Sequence, residues 1–356
     1  MKIINKVKNK AFHLREVLLG SQLEAHLFDE YITYIPGNAD LPKILYFAPV
    51  YDYGFKSLGL GFEEINFFNS LLNVGYPIIK FDSLTGVKKL GKARAMHMLR
   101  LLSDYYNPSF IFFSFFKDDF SLKELKQLSR STSAITISWF SDDHWRFEQH
   151  SKHIAETVDL SITTDEKSLQ RYHAEALPVV LSQWASNHFL YKPKHLKKEY
   201  DVCFIGQNYG VREQVINSLR SAGLRVVVRG RGWPEGKVSF SEMIDLYNQS
   251  KICLNIAEAS QGNRLQIKGR DFEVPSCGCV LLTRAETGIE NYLSPGIECL
   301  TYQSFEELPQ LITHWINQPR ELEAISEAGR QKVLEAHTWQ HRFEQIFAAA
   351  EKRDWT

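Results

Sequence analysis

The 356-residue chain lacks several features that would place it in a class at once. Its 42 Lys and Arg are matched by 42 Asp and Glu, so it has no formal net charge. General nucleic-acid binding needs a basic excess to displace counterions from phosphates, so no nucleic-acid partner is expected. No apolar run reaches the roughly 18 residues that a spanning helix needs. The opening MKIINKVKNKAFHLREVLLG has no compact apolar core or small-residue cleavage site and matches a secretory leader poorly. Cysteines number five and include no CxxC pair; Cys277 and Cys279 flank one glycine, too close for a zinc knuckle. They read as buried thiols in a reducing cytoplasm. There is no Asp-x-Asp triplet, no Walker loop, no HExxH and no Gly-x-Ser-x-Gly elbow. His337 and His341 stand four apart on an expected helix without a third ligand nearby, so no metal and no cofactor are expected.

What is present is a large apolar and aromatic complement, 44% and 13% of the residues. That excludes a disordered polyampholyte, and at roughly 150 residues per domain the length suggests two domains. Residues 1–40 read as a helix followed by an irregular piece. Its lysines and its apolar Ile3, Ile4, Val7, Phe12, Val17 and Leu18 suit either a membrane-surface helix or one packed on the domain. The first reading would place a cytoplasmic protein at the inner face of a membrane.

Strands and helices then alternate. Expected strands are 43–50, 77–82, 109–116, 133–143 and 160–164; expected helices are 58–74, 89–106, 121–130 and 146–156. The strands are continuous apolar runs, as in parallel sheets buried on both faces. The polar, basic YKPKHLKKEYD (191–201) reads as a linker. The alternation restarts with strands at 201–206, 225–230, 251–257, 279–283 and 298–302, and with helices at 210–222, 240–249, 305–317, 319–336 and 339–353. The expectation is an α/β chain of two doubly wound Rossmann-like domains facing each other across a cleft, with ligands at the carboxyl ends of the strands. The boundaries expected are 1–190, 191–338 and a last helix, 339–356, that returns to the first domain.

Three stretches could carry chemistry. In NIAEASQGNRLQIKGRDFEVPSCGC (255–279), Arg264, Lys268 and Arg270 could clamp a diphosphate, and a carboxylate could accept both hydroxyls of a ribose. A solvated, salt-bridged helix face is the plainer alternative. In SDDHWR (141–146), Asp142, Asp143 or His144 could serve as general base at a strand's carboxyl end. Adjacent residues on an extended chain face opposite ways, so only one of the aspartates should reach a cleft. Helix capping is the plainer role for either. In YDYGFKSLGLGFEE (51–64), Asp52, Gly59 and Gly61 could approach a phosphate or an acceptor sugar, although the third glycine of a Rossmann turn is missing.

The run IKGRDFEVPSCGCVLLTRAETGIENYLSPGIECLTYQSFEEL, together with EAISEAGRQKVLEAHTWQHRF (323–343), resembles the CgeB-like (spore-maturation-protein-like) glycosyltransferases of the GT-B class. DVCFIGQNYGVREQVINSL (201–219) and VRGRGWP (228–234) resemble the first two units of that family's donor domain. SWFSDDHWRF and the loop around Gly59 and Gly61 resemble its N-terminal half more weakly. The resemblance implies metal-independent transfer of a sugar from a UDP-, GDP- or dTDP-linked donor to a glycan, protein or small-molecule acceptor. It implies that Glu273 holds the ribose and that Lys268 and Arg270, with Arg264, hold the diphosphate. Gly206 and Arg212 would line the cleft, and Gly230, Gly232 and Trp233 would meet the base, with plain core packing as the alternative for Trp233. The glutamate that many relatives carry eight positions before Glu273 is Leu265 here. That departure keeps open a non-catalytic sugar- or nucleotide-binding protein, and a nucleotide-sugar epimerase stays open because the same fold hosts such enzymes.

Overall fold

The computed structural model describes residues 31–116, 120–257 and 265–353. The expected helix before residue 31 lies outside them. The chain divides into two compact units: unit 1 comprises Met1–Gln183 and Phe343–Thr356, and unit 2 comprises Trp184–Arg342. The chain therefore leaves unit 1 at Gln183, ahead of the basic stretch 191–201, and re-enters it at Phe343, inside the last helix.

Unit 1 is built on a seven-stranded sheet of β1 (Ile32–Ile35), β2 (Ile44–Ala48), β3 (Ile78–Asp82), β4 (Phe110–Phe113), β5 (Ile135–Phe140), β6 (Leu160–Thr163) and β7 (Val179–Leu181). The order is β1-β3-β2-β4-β5-β6-β7. All pairs are parallel except β1 with β3. Every residue of β2, β4 and β6 is buried, as continuous apolar runs require when helices cover both faces. Two strands are not apparent in the sequence. β1 lies where an irregular piece was expected and is the antiparallel edge, while β7 is only three residues long. The expected helix 89–106 is two helices, Ser83–Leu90 and Lys92–Tyr106, parted by Gly91. The first begins earlier because Asp82 caps it, accepting from Thr85 N at 3.3 Å. The helix after β2 opens with a π-helical turn, Glu63–Phe68.

From Phe343 onward the last helix (Trp339–Lys352) packs on unit 1 through aromatic contacts. Phe343 lies 5.7 Å from Phe67 and 5.6 Å from Phe112, and Phe347 stacks on Phe110 at 4.6 Å. Burying such rings, at roughly 150–250 Å² each, is what holds this helix to the sheet.

Unit 2 holds β8 (Tyr200–Ile205), β9 (Val226–Arg229), β10 (Ser250–Leu254), β11 (Val280–Arg284) and β12 (Leu300–Tyr302), all parallel, in the order β12-β11-β10-β8-β9. This is the doubly wound order in which the chain runs outward from its first strand in one direction and then in the other. The reversal opens a crevice at the carboxyl ends of the two central strands, here β8 and β10. Among the described residues no helix is long and apolar enough to cross a membrane.

Candidate functional site

In unit 2 the candidate residues gather at the reversal between β8 and β10. Arg270, the first residue of the helix Arg270–Ser276, spans it. Its Nη2 donates to the Ile205 carbonyl at the end of β8, and its Nη1 donates to Asn255 Oδ1, just past β10, at 2.9 Å. Arg212 spans the same gap from the helix Arg212–Ser221. Its Nη1 donates to Gln207 O at 2.8 Å and its Nη2 to Ile256 O at 3.0 Å, while its guanidinium lies 3.8 Å from the Tyr209 ring. Arg212 is buried. It was expected to line a cleft; instead it braces the crevice floor, tying two loops whose carbonyls would otherwise be unpaired. Arg270 is only half-buried and is the more open of the two cations.

Behind Arg270 runs a buried polar network that the sequence reading did not assign. Asn255 Nδ2 donates to Asp271 Oδ1 at 2.6 Å, Asp271 Oδ2 accepts from Lys268 N at 2.8 Å, and Tyr302 OH donates to Asn255 O at 3.1 Å. Asp271 is fully buried, and burial raises its carboxyl above the usual range. The network orients Arg270 through Asn255 and fixes the start of its helix. Lys268 is half-buried, and its Nζ donates to Gln266. Arg264 lies outside the described residues.

Glu273 sits one turn along the same helix and is about nine-tenths buried. Burial, the largest influence, pushes its carboxyl up to about 7, against the opposing hydrogen bond from the Tyr191 phenol and the charge of Arg270. Near neutral pH it is therefore poised between carboxylate and acid.

Gly206, Gly230, Gly232 and Trp233 form one interlock between the loops after β8 and β9. Gly230 has φ +142°, and a Cβ there would lie 2.1 Å from Gly206 O. Only glycine allows this approach. Gly232 has φ +86° and faces Asn208. Trp233 Nε1 donates to Gly206 O at 2.8 Å, and the residue is only 7% exposed, in the core with Phe204. Of the two roles weighed for Trp233, base stacking and core packing, its burial and its bond to Gly206 fit the packing role, in which the side chain shapes the loop.

Unit 1 has its own reversal, between β2 and β4. The loop after β2 folds back on itself: Asp52 N donates to Gly59 O at 3.0 Å and Gly61 N to Val50 O at 2.8 Å. Asp52 is half-buried, Gly59 (φ +87°) is exposed and Gly61 is buried. At the same reversal is Glu63, which the sequence reading passed over. Its Oε1 accepts from Ser114 Oγ, just past β4, at 3.2 Å, and burial raises its carboxyl. Its one signal in the sequence is an acid closing a glycine-rich loop after a strand.

After β5 the two aspartates differ in burial, but alternation does not govern them: the strand ends at Phe140 and Asp143 already opens a helix, so they are not on an extended chain. Asp143 is fully buried; its Oδ2 accepts from Tyr172 OH at 2.9 Å, and burial raises its carboxyl. Such a group is closed to an acceptor, which corrects its place among the candidate bases. Asp142 and His144 remain half-exposed. Asp142 stands at the N-cap of Asp143–Arg146 without a side-chain cap bond.

Residues 212–348 match the family model described as glycosyl transferase-like. No curated protein sequence matches the chain. Among solved structures, the sucrose-phosphate synthase of Thermosynechococcus elongatus is 14% identical, with a TM-score of 0.59 over 87% of this chain and 100% of that one. Anabaena HepE in complex with UDP-glucose is 10% identical, with a TM-score of 0.57 over 88% of this chain and 100% of that one. An α-glucosyltransferase bound to UDP and a 13-mer DNA is 11% identical, with a TM-score of 0.63 over 87% of this chain and 99% of that one. The fold is that of the GT-B glycosyltransferases: two Rossmann-like domains, with the glycosyl transferase-like match lying almost wholly in unit 2.

Proposed function

We propose that the protein is a CgeB-like, metal-independent glycosyltransferase whose unit 2 holds a nucleotide-diphosphate sugar at the β8–β10 reversal. The observation that carries this reading is Arg270. It is a half-buried guanidinium fixed across the carboxyl ends of the two central strands, inside the segment that matches the glycosyl transferase-like family.

In the reaction an acceptor oxygen attacks the anomeric carbon, the bond from that carbon to the diphosphate breaks, and the electron pair leaves with the phosphate oxygen. A fixed guanidinium stabilises that developing charge without reorganising at the moment of reaction. Three of the five guanidinium N–H groups of Arg270 are not used by the two bonds above. Lys268 adds charge beside it, and Glu273 offers a carboxylate oxygen to the ribose diol. The acceptor's proton goes to Asp142 or His144, the two members of the 142–144 cluster with open surface. Sugar nucleotides in complexes with Anabaena HepE and UDP with the α-glucosyltransferase support uridine donors as the first to try here. A glycan, a protein or a small molecule serves as acceptor.

The test is a thermal-shift series with UDP, GDP, CDP, dTDP and their sugars, run with and without magnesium on the wild type and on Arg270→Lys. A ligand at about 100 times its Kd stabilises the native state by about 2.7 kcal/mol. The expected result is a magnesium-independent rise in Tm with one nucleotide family, reduced in Arg270→Lys, which keeps the charge but loses the two-sided bridge. Folded wild-type protein that responds to none of them would refute the donor site.

A further inference from the structure

At the edge of the unit 2 sheet opposite the donor crevice there is a cavity of about 950 Å³, a size ordinary for a small-molecule site. Its walls are the basic segment ahead of β8, the starts of β10 and β11 at Lys251 and Val280, and the helix Pro319–Ala336. All five strands are parallel, so the amino ends that line this cavity lie away from the carboxyl ends that form the crevice. The proposed reaction leaves it unused.

One wall is apolar, made by Val280, Ile316, Pro319 and Leu322. The charges around it are unequally spent. Lys251 is held by Asp201 at 2.9 Å, and Arg225 shares that carboxylate at 3.1 Å. Lys198 gives one N–H to Ser250 O at 2.8 Å and pairs with no carboxylate among the described residues. Arg330 is half-buried, and its Nε is enclosed without a hydrogen-bond partner. Among the described residues its guanidinium makes no ion pair either, although Glu323 and Glu327 precede it on the same helix. Gly329 pins this turn of the helix, since a Cβ there would lie 2.2 Å from Glu298 O. The two glutamates also line the cavity, and both are exposed.

An enclosed guanidinium N–H without an acceptor is a cost that a bound oxyanion removes, and the arginine fork suits carboxylate and phosphate. The exposed glutamates would repel a second negative group, which limits the ligand to one oxyanion. The aliphatic wall asks for an apolar body beside it. We propose that this cavity binds a small organic anion, a single carboxylate or phosphate on a short apolar body, with the oxyanion at Arg330 and Lys198. The inference stands apart from the reading of the donor site.

The test titrates the full chain with 8-anilinonaphthalene-1-sulfonate, a single oxyanion on an apolar body whose fluorescence rises on leaving water. One saturable site is expected. Hexyl phosphate and hexanoate then compete for it, and the one that displaces the dye at lower concentration names the oxyanion. 1-Hexanol, which lacks the charge, should not displace it. Arg330→Gln should weaken dye binding by about tenfold or more, the loss of a hydrogen bond to a charged group. Lys198→Gln should weaken it severalfold, and its Tm should stay unchanged because Lys198 is exposed. Neither UDP nor Arg270→Lys should alter the titration. A folded wild type without a saturable site overturns the proposal, and so does undiminished binding in either folded variant or equal displacement by 1-hexanol. Displacement by UDP, or loss of binding in Arg270→Lys, would put the dye in the donor crevice and overturn it as well. The thermal shift with nucleotides, read on the same samples, reports on that crevice separately.

Discussion

Glu273→Gln is the most informative single perturbation. The carboxyl of Glu273 is raised from 4.5 to about 7, first of all by burial. A raised carboxyl binds its proton more tightly in the folded state, so the group adds no penalty below about pH 4.5. Stability is then lost as pH rises from there through 7. With these two values the penalty is about 1 kcal/mol at pH 5 and about 3 kcal/mol at pH 8. Glutamine occupies the same space without titrating. The variant's Tm, relative to wild type, should therefore climb by roughly 4–8 °C between pH 5 and pH 8, taking 2–4 °C per kcal/mol for a unit of this size. Differential scanning calorimetry on both proteins over that range measures it. The offset between them at any one pH matters less than its slope, because the new amide brings a constant cost of its own. Donor binding should run the opposite way: an acceptor for ribose hydroxyls improves as the carboxylate forms. Wild-type nucleotide affinity should thus rise from pH 6 to pH 8 and be flat in the variant. A Tm difference independent of pH would refute the account of a buried, poised carboxyl, whatever the binding data show.

Three further substitutions test the geometry around the sites. Gly230→Ala brings a Cβ to within 2.1 Å of Gly206 O at a φ of +142°, so the expected cost is about 3 kcal/mol or more, seen as a lower denaturation midpoint; an unchanged midpoint would contradict the interlock of the β8 and β9 loops. Asp143→Ala should cost about 1–3 kcal/mol by leaving the Tyr172 hydroxyl buried without its acceptor. Asp142→Asn should leave the midpoint alone and lower sugar transfer, and the reverse pattern would exchange the roles of the two aspartates.

Much of the architecture is written locally. Continuous apolar runs such as ILYFA (44–48) and FIFF (110–113), short and set between helical patterns, read as strands covered on both faces, and each is one. Ser121 with Glu124 and Ser239 with Glu242 form capping boxes at the starts of two helices, a signal contained in four residues. β1 and β7 were missed because an antiparallel edge and a three-residue strand give too short a pattern to separate from a loop. The glycines at 206, 230 and 232 were read as places that meet a ligand; their approach to one another's loops, Gly230 on Gly206 and Gly232 on Asn208, was not legible.

The site divides along the same line. Sequence alone singles out Arg264, Lys268 and Arg270 beside two carboxylates, Asp271 and Glu273, because they crowd one short stretch before a strand; the choice of Glu273 for the ribose is what the family resemblance implies. Sequence also suggests that Asp142 and Asp143 face opposite ways, but that rests on an extended chain, and the strand ends at Phe140. It cannot say which of them faces inward, because that depends on Tyr172, which the helix Glu166–Ala174 delivers from 29 residues away. Nor can it show that Arg212 is spent on the carbonyls of Gln207 and Ile256, or that Glu63 meets Ser114 across 51 residues. Propensity, capping and periodicity act over a few neighbours and settle what each segment becomes. Burial, and with it the charge state and freedom of every functional side chain, depends on which distant segments the sheet order brings together, and only the tertiary structure decides that.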